Sequence, residues 1–485
     1  MTAWNELFDE TRPAFDQQRT FARAKWLAVA GLACLGRHTL SGMLCTAGQQ
    51  FVDWSATYRL FEQERFRVDQ LWRTCLRTTV AALPAKAPIV ALMDDTLIHK
   101  RGRHVAGASW HRDPLGPRFS TNLVWSSRFL QVSLALPASA SALRCSARAI
   151  PIALCHAPTP KKPTLIKDKQ KYEAALKQWN KQKAAAAISK LGVQHLKSLR
   201  QALDQLPGGT QRALIACVDA TFTNRTALRQ LPARTTLIGR IRKDAKLYSL
   251  PTSQPLRKDR GRRRLYGKTV PTPQQHLSDD SIPWQTVRAF AAGKVYEFDV
   301  KHILPVRWKA SGQRVLSLLV VRPVRYFLRR GSRSSRQPAY LICTDPTLSA
   351  EQILQAYLWR WEIELNFRDE KTLIGLGQAQ VRTKAALNTA AAFLVFAYAL
   401  LLLATARVAL LHSSLPPPAW RRRPHPNRPT TRVTTPQMLS LFRAQLWANV
   451  LGLPNKNGFV AQRPIATNQL QTLNCLQSAV LYATG

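Results

Sequence analysis

Two short apolar runs, IVALM at 89–93 and ALIACV at 213–218, each end in aspartate: Asp94 and Asp95 follow the first, Asp219 the second. Runs of this length, flanked by Pro84 and Pro88 in one case and by polar residues in the other, have the dimensions of buried strands. Neighbouring strands present the residues at their C-terminal ends together, at the edge of the sheet. The pattern therefore predicts an α/β fold with acids gathered at one edge. A third acid, Glu364, lies within a helical pattern over 348–374, which opens on Ser349 as N-cap with Gln352 three residues on. Carboxylates converging from two strands and a helix are the hard, sparse oxygen donors that a pair of Mg²⁺ ions requires. Two such ions activate an attacking oxygen and stabilise a leaving one in displacement at phosphorus.

The charge balance agrees with that chemistry. The 485 residues hold 71 Lys and Arg against 27 Asp and Glu, a formal net charge of +44, while 46% are hydrophobic. The chain is too apolar for a disordered basic tail, and a globular protein so charged repels itself unless a polyanion neutralises it. Nucleic acid is the expected partner. The eight cysteines are scattered with no Cys-x-x-Cys pair, as in a reducing cytosol, and the N-terminus lacks the layout of a signal peptide. A cytoplasmic, nucleoid-associated protein is expected. The apolar run at 390–406 would extend about 25 Å as a helix, just short of a hydrocarbon core, and is expected to be a buried core helix rather than a membrane span.

Residues 15–82 carry apolar side chains at helical spacing. After the first strand, STNLVWSSRFLQVSLALP and AIPIALCHA are strand-like and complete a meander. The basic stretch 158–206 is rich in helix formers and predicts one or two helices joined near Gly192. Residues 251–338 read as basic β-hairpins, and 416–436 as a linker rich in Pro and Arg.

Within the helix, Tyr357, Arg360, Glu364 and Lys371 stand at offsets 0, 3, 7 and 14 and so share one stripe, with Arg368 joining it four residues beyond Glu364. Bases and a phenol around a metal-binding acid suit the grip on phosphates beside a scissile bond. This Tyr-x2-Arg-x3-Glu-x6-Lys pattern resembles the signature of DDE transposases of bacterial insertion sequences, in the branch named for Tyr-Arg-Glu-Lys. MDDT at 93–96 resembles the first-aspartate motif of that family and IACVDATFTNR at 215–225 the second.

The resemblance implies an RNase H-like core interrupted by a β-rich insertion. Its implied organisation is a helical DNA-binding domain at 1–84, the core at 85–250 and 339–411, the insertion at 251–338, a basic linker at 412–436 and a helical C-terminal region at 437–485. It implies Asp95, Asp219 and Glu364 as the metal-binding triad, for two Mg²⁺ ions with Mn²⁺ as substitute. Asp95 is preferred over Asp94 because the family's aspartate usually precedes Thr or Ser, as Asp95 precedes Thr96. Tyr357, Arg360, Arg368 and Lys371 would contact phosphates of the transposon end. Arg262 and Arg263, in a run with Arg260 and Arg264, are expected on the DNA backbone, and Trp308 or Trp284 as a stack for a flipped base, against the plainer expectation of core tryptophans. His99, His104 and His111 fit no standard zinc spacing. The implied activity is cleavage at terminal inverted repeats and strand transfer into target DNA by a homodimer; a nuclease that never joins, or an inactive DNA-binding derivative, are the alternatives.

Overall fold

The computed structural model describes residues 1–113, 122–139, 143–165, 167–251, 264–329, 332–412 and 432–450. Five helices come first: α1 (Thr2–Asp9), α2 (Gln18–Ala33), α3 (Leu40–Thr46), α4 (Ser55–Glu62) and α5 (Val68–Ala81). The meander follows as β1 (Ile89–His99), β2 (Ser109–Arg112), β3 (Leu123–Pro137) and β4 (Ala147–His156). Next come α6 (Lys169–Ala185), α7 (Ile188–Asp204), β5 (Leu214–Val218), α8 (Arg225–Arg229) and β6 (Thr235–Arg240).

β1 pairs antiparallel with β3, and β3 with β4, whereas β1, β5 and β6 run parallel. The strand order β4-β3-β1-β5-β6 is that of an RNase H-like core. Parallel neighbours with short, fully apolar strands such as β5 require cover on both faces, and helices supply it. Alternate residues of β1 divide between two cores: Ala91 and Met93 join the cluster beneath α5 and α7, Val90 and Leu92 the opposite one.

Most strands of the insertion join the core sheet, and only a small hairpin stands apart. β7 (Leu247–Tyr248), α9 (Pro273–Leu277), β8 (Gln285–Ala291), β9 (Lys294–Trp308) and β10 (Leu316–Val321) are followed by the small hairpin of β11 (Arg325–Arg329) and β12 (Ser332–Ser335), and then β13 (Ala339–Cys343). β13 pairs with β6 and with β10, so the core sheet continues outward through β10 and β9 to eleven strands. The chain then returns as α10 (Ala350–Trp359) and α11 (Trp361–Thr372), followed by α12 (Lys384–His412) and α13 (Thr435–Val450).

α12 answers the question raised by its apolar run. It is long and apolar enough to cross a membrane, but most of it is buried inside the protein. Phe393 packs edge-on against Phe61 and near Phe66, and Phe396 meets Phe8 and Trp72. Helices α1, α2, α4, α5 and α13 surround it together with β4. One hydrophobic core therefore runs from the N-terminal helices through α12 to the sheet.

Two helix boundaries differ from the sequence expectation. The basic stretch breaks between α6 and α7 at Ala186–Ala187 rather than at Gly192, which lies buried inside α7. The helix expected over 348–374 is capped by Ser349 and Gln352 as predicted, but is interrupted at Arg360, which divides it into α10 and α11. Arg360 keeps helical dihedrals (φ −56, ψ −32) while its N–H bonds the Tyr357 carbonyl three residues back, a tightened turn between α10 and α11.

Candidate active site

Asp94 and Asp219 are brought side by side by strand register. Met93 of β1 is level with Val218 of β5 in the parallel ladder, so the next residue of each strand falls on the same face of the sheet. α11 packs over that face against β1 and β4. From it Arg360 reaches the strand: its Nη1 donates to Asp94 Oδ2 at 2.9 Å and its Nη2 to Glu364 Oε1 at 2.7 Å. The same guanidinium lies 5.6 Å from the centre of the Tyr357 ring. Three members of the helix stripe thus converge on the strand acid.

The electrostatics follow from this crowding. Burial pushes the Asp94 carboxyl up to about 7; Arg360 opposes the shift and the neighbouring charge of Asp219 adds to it. Burial works against the charge of Arg360, but Tyr357, Asp94 and Glu364 outweigh it and hold the guanidinium protonated. Asp219 is fixed by its own turn, accepting from the N–H groups of Thr221 at 2.9 Å and Phe222 at 3.3 Å and from the Thr221 hydroxyl at 3.0 Å.

Asp95 sits otherwise. Successive side chains of a strand point to opposite faces, so it turns away from α11 and is gripped by Arg128 of β3, whose Nε and Nη2 donate at 2.7 and 3.0 Å. The strand acid that meets Glu364 through Arg360 is Asp94, not the Asp95 expected from the Thr that follows it. Arg128 is a residue the sequence reading passed over, although a lone charge within the apolar strand VWSSRFLQV was a signal. Its neighbour His111 is held by the Ser126 hydroxyl at 3.0 Å and the Thr159 hydroxyl at 3.3 Å, and burial and Arg128 lower its pKa, which leaves a neutral ring.

Both faces open into one cleft of about 490 Å³ at the end of β1, lined among others by Asp94, Asp95, Asp219, Arg128, His111 and Lys371. Lys371 lies there as expected. Arg368 does not: it is exposed, bonds Asp369 at 2.8 and 3.0 Å, and faces a second cavity on the other flank of α11. The two bases stand three residues apart on α11, and the packing of that helix on the sheet turns them toward different cavities. Trp308, half-buried at the end of β9, packs against apolar residues and is absent from the cleft lining. Trp284 stays in the insertion, with Lys301 at 4.4 Å and Arg322 at 5.4 Å from its ring. Arg260, Arg262 and Arg263 lie outside the described residues, as do Arg421, Arg422 and Arg423.

Asp94 and Asp219 suit a hard divalent cation by donor type, since a buried carboxylate and its neighbour repel until a positive charge joins them. Arg360 stands in that role between Asp94 and Glu364. Among the described residues no three acidic, histidine or cysteine side chains are closed to a spacing that would hold a metal ion.

Comparison with known families gives one match. The model of a family described as DDE superfamily endonuclease matches residues 11–311, well over half the chain. The span takes in α2 to α5, Asp94, Asp95 and Asp219, and ends before α10 and α11. No curated protein matches the sequence.

Proposed function

This chain belongs to the DDE superfamily of endonucleases, and on that footing we propose that it is a DNA transposase that cleaves at the ends of its element and joins them to target DNA. The observation that carries the proposal is that Arg360 joins Asp94 to Glu364, with Asp219 beside Asp94 across the β1–β5 ladder, while α10 and α11 also carry Tyr357 and Lys371 in the transposase spacing. In this reading Asp94, Asp219 and Glu364 hold the metal, with Asp94 taking the place that the sequence assigned to Asp95. Divalent cations of the Mg²⁺ type, when bound there, supply Lewis-acid activation of the attacking oxygen and neutralise charge on the leaving oxygen.

The chain's own residues do the rest. Arg360, once freed from the acids, carries a fixed charge and a planar fork suited to a non-bridging phosphate pair. Lys371, within the cleft, adds a second positive contact on the scissile phosphate. Asp219, locked by Thr221 and Phe222, keeps its carboxylate oriented without reorganisation. Water attack at the end phosphodiester releases a 3′ hydroxyl, and attack of that hydroxyl on target DNA expels a target 3′ oxygen in turn, so each step exchanges one ester bond for another or for water. Two ends have to be held together, which calls for two copies of the chain on DNA.

The test is a strand-transfer assay with the full chain, Mg²⁺ and a precut transposon end. Joined product is expected, and Glu364→Gln is expected to abolish it while DNA binding persists. Cleavage of an uncut end without any joining would assign the chain to the nucleases that cut only.

A further inference from the structure

We propose that the cavity between α11, β4 and the start of α13 binds a phosphate oxyanion of DNA, away from the acidic cleft. This rests on DNA being the substrate, but not on strand transfer. The cavity measures about 220 Å³ and is lined among others by Arg148, Arg368, Arg432, Asp369, Asn366 and Thr434. That is smaller than the roughly 300 Å³ at which pockets for drug-sized ligands begin, so it admits a phosphate group and not a whole nucleotide.

The charges around it do not balance. Arg368 is matched by Asp369 at 2.8 Å, and Arg432 by Glu362 at 2.6 Å. Arg148, half-buried, bonds the Val433 carbonyl, and no carboxylate lies within ion-pair distance of it among the described residues. Burial and the like charge of Arg432 lower its pKa to about 9, although Tyr398, Glu362 and Asp369 oppose the shift. A third guanidinium facing two committed ones calls for an anion, and the planar fork of arginine matches two oxygens of a phosphate. The donors are already anchored: Arg432 also bonds the Ala147 carbonyl at 2.9 Å, and the Asn366 amide bonds the Ala149 carbonyl at 2.8 Å. α11 then offers phosphate contacts on both flanks, Lys371 toward the cleft and Arg368 toward this cavity.

Two sources share this chemistry, the DNA backbone and free phosphate. The experiment compares the full chain with Arg148→Gln and with Arg368→Gln, the latter an exposed side chain that carries the test if the former does not fold. In one arm, affinity for a short duplex of arbitrary sequence is followed against salt; the log-log slope is expected to become shallower by about 0.9, the loss of one phosphate contact. In the other arm, inorganic phosphate is titrated while thermal unfolding is followed. An unchanged slope with loss of phosphate stabilisation would keep the oxyanion site and assign it to free phosphate. If folded variants match the parent in both arms, the site does not exist. Both readouts are of binding, so a chain that failed to join DNA ends would leave the result intact.

Discussion

Arg360 and Asp94 form an ion pair at 2.9 Å in which the two side chains are only 11% and 16% exposed, and the same guanidinium holds Glu364. Removing one partner from so enclosed a pair leaves an uncompensated charge, which costs about 3–5 kcal/mol. Arg360→Gln is therefore expected to lower the urea midpoint in the presence of a chelator. Mg²⁺ should then stabilise the variant more than the parent, because the cation replaces the missing guanidinium between the acids. Equal Mg²⁺ responses in the two proteins would show that Arg360 and the metal do not share a place.

Asp94 and Asp95 are separated by one peptide bond and by the thickness of the sheet. Asp94→Asn is expected to reduce end cleavage by about 10³-fold, the scale of several kcal/mol of lost charge stabilisation, with duplex binding retained. Asp95→Asn should mainly weaken the grip of Arg128, lowering stability by about 1.5–3 kcal/mol as for a hydrogen bond to a charged group. Cleavage rates and melting temperatures measured on both variants decide the matter. Should Asp95→Asn be the one that stops cleavage while Asp94→Asn cleaves normally, the geometric assignment fails.

How far the sequence reached is visible in these same residues. The strands β1 and β5 were legible because short apolar runs admit few alternatives, but β1 runs on through polar residues to His99, so Asp94 and Asp95 stand within it rather than at its end, while Asp219 does follow β5. The choice between adjacent aspartates was not legible, since strand alternation assigns them to opposite faces but only tertiary packing decides which face receives α11. The cap at Ser349 was readable from local hydrogen-bonding chemistry. The interruption at Arg360 was not, because apolar spacing runs through it unbroken, and neither was the position of Arg368, since only the packing of α11 on the sheet decides which flank faces the cleft. The stretch 251–338 was legible as strands, yet the pairing of β13 on β6 that follows it joins residues about a hundred positions apart, a contact no local pattern encodes.

Gly192 illustrates a glycine whose role is space rather than a turn. A Cβ there would stand 3.0 Å from Met93 Cε and from Phe222 Cδ1. Gly192→Ala gains about 1 kcal/mol of helix propensity but overpacks a core at a cost of about 1–3 kcal/mol. A net loss of stability is expected, toward the low end because the Met93 thioether yields. Met93→Val in the same chain should recover part of it, and strictly additive melting shifts would rule out the contact as the cause.

Glu370 is fully enclosed beneath α11. Its Oε1 accepts from Gln131 at 2.9 Å, its Oε2 has no hydrogen-bond partner, and Gln131 is level with Asp94 in the β1–β3 ladder. Burial pushes its carboxyl up to about 8 from an ordinary 4.5; the Gln131 hydrogen bond and Lys371 oppose this, and Asp369 adds to it. The folded chain thus keeps a proton that the unfolded chain has already lost between these two values, so stability is fully present below the unfolded pKa and falls as pH rises through about 8. Glu370→Gln cannot ionise, and its stability should decline less than the parent's between about pH 5 and about pH 9. Chemical unfolding at the two pH values, compared as a difference between variant and parent, cancels the titration of every other group. Parallel declines would mean that Glu370 is ionised in the native fold, with its charge compensated inside the protein.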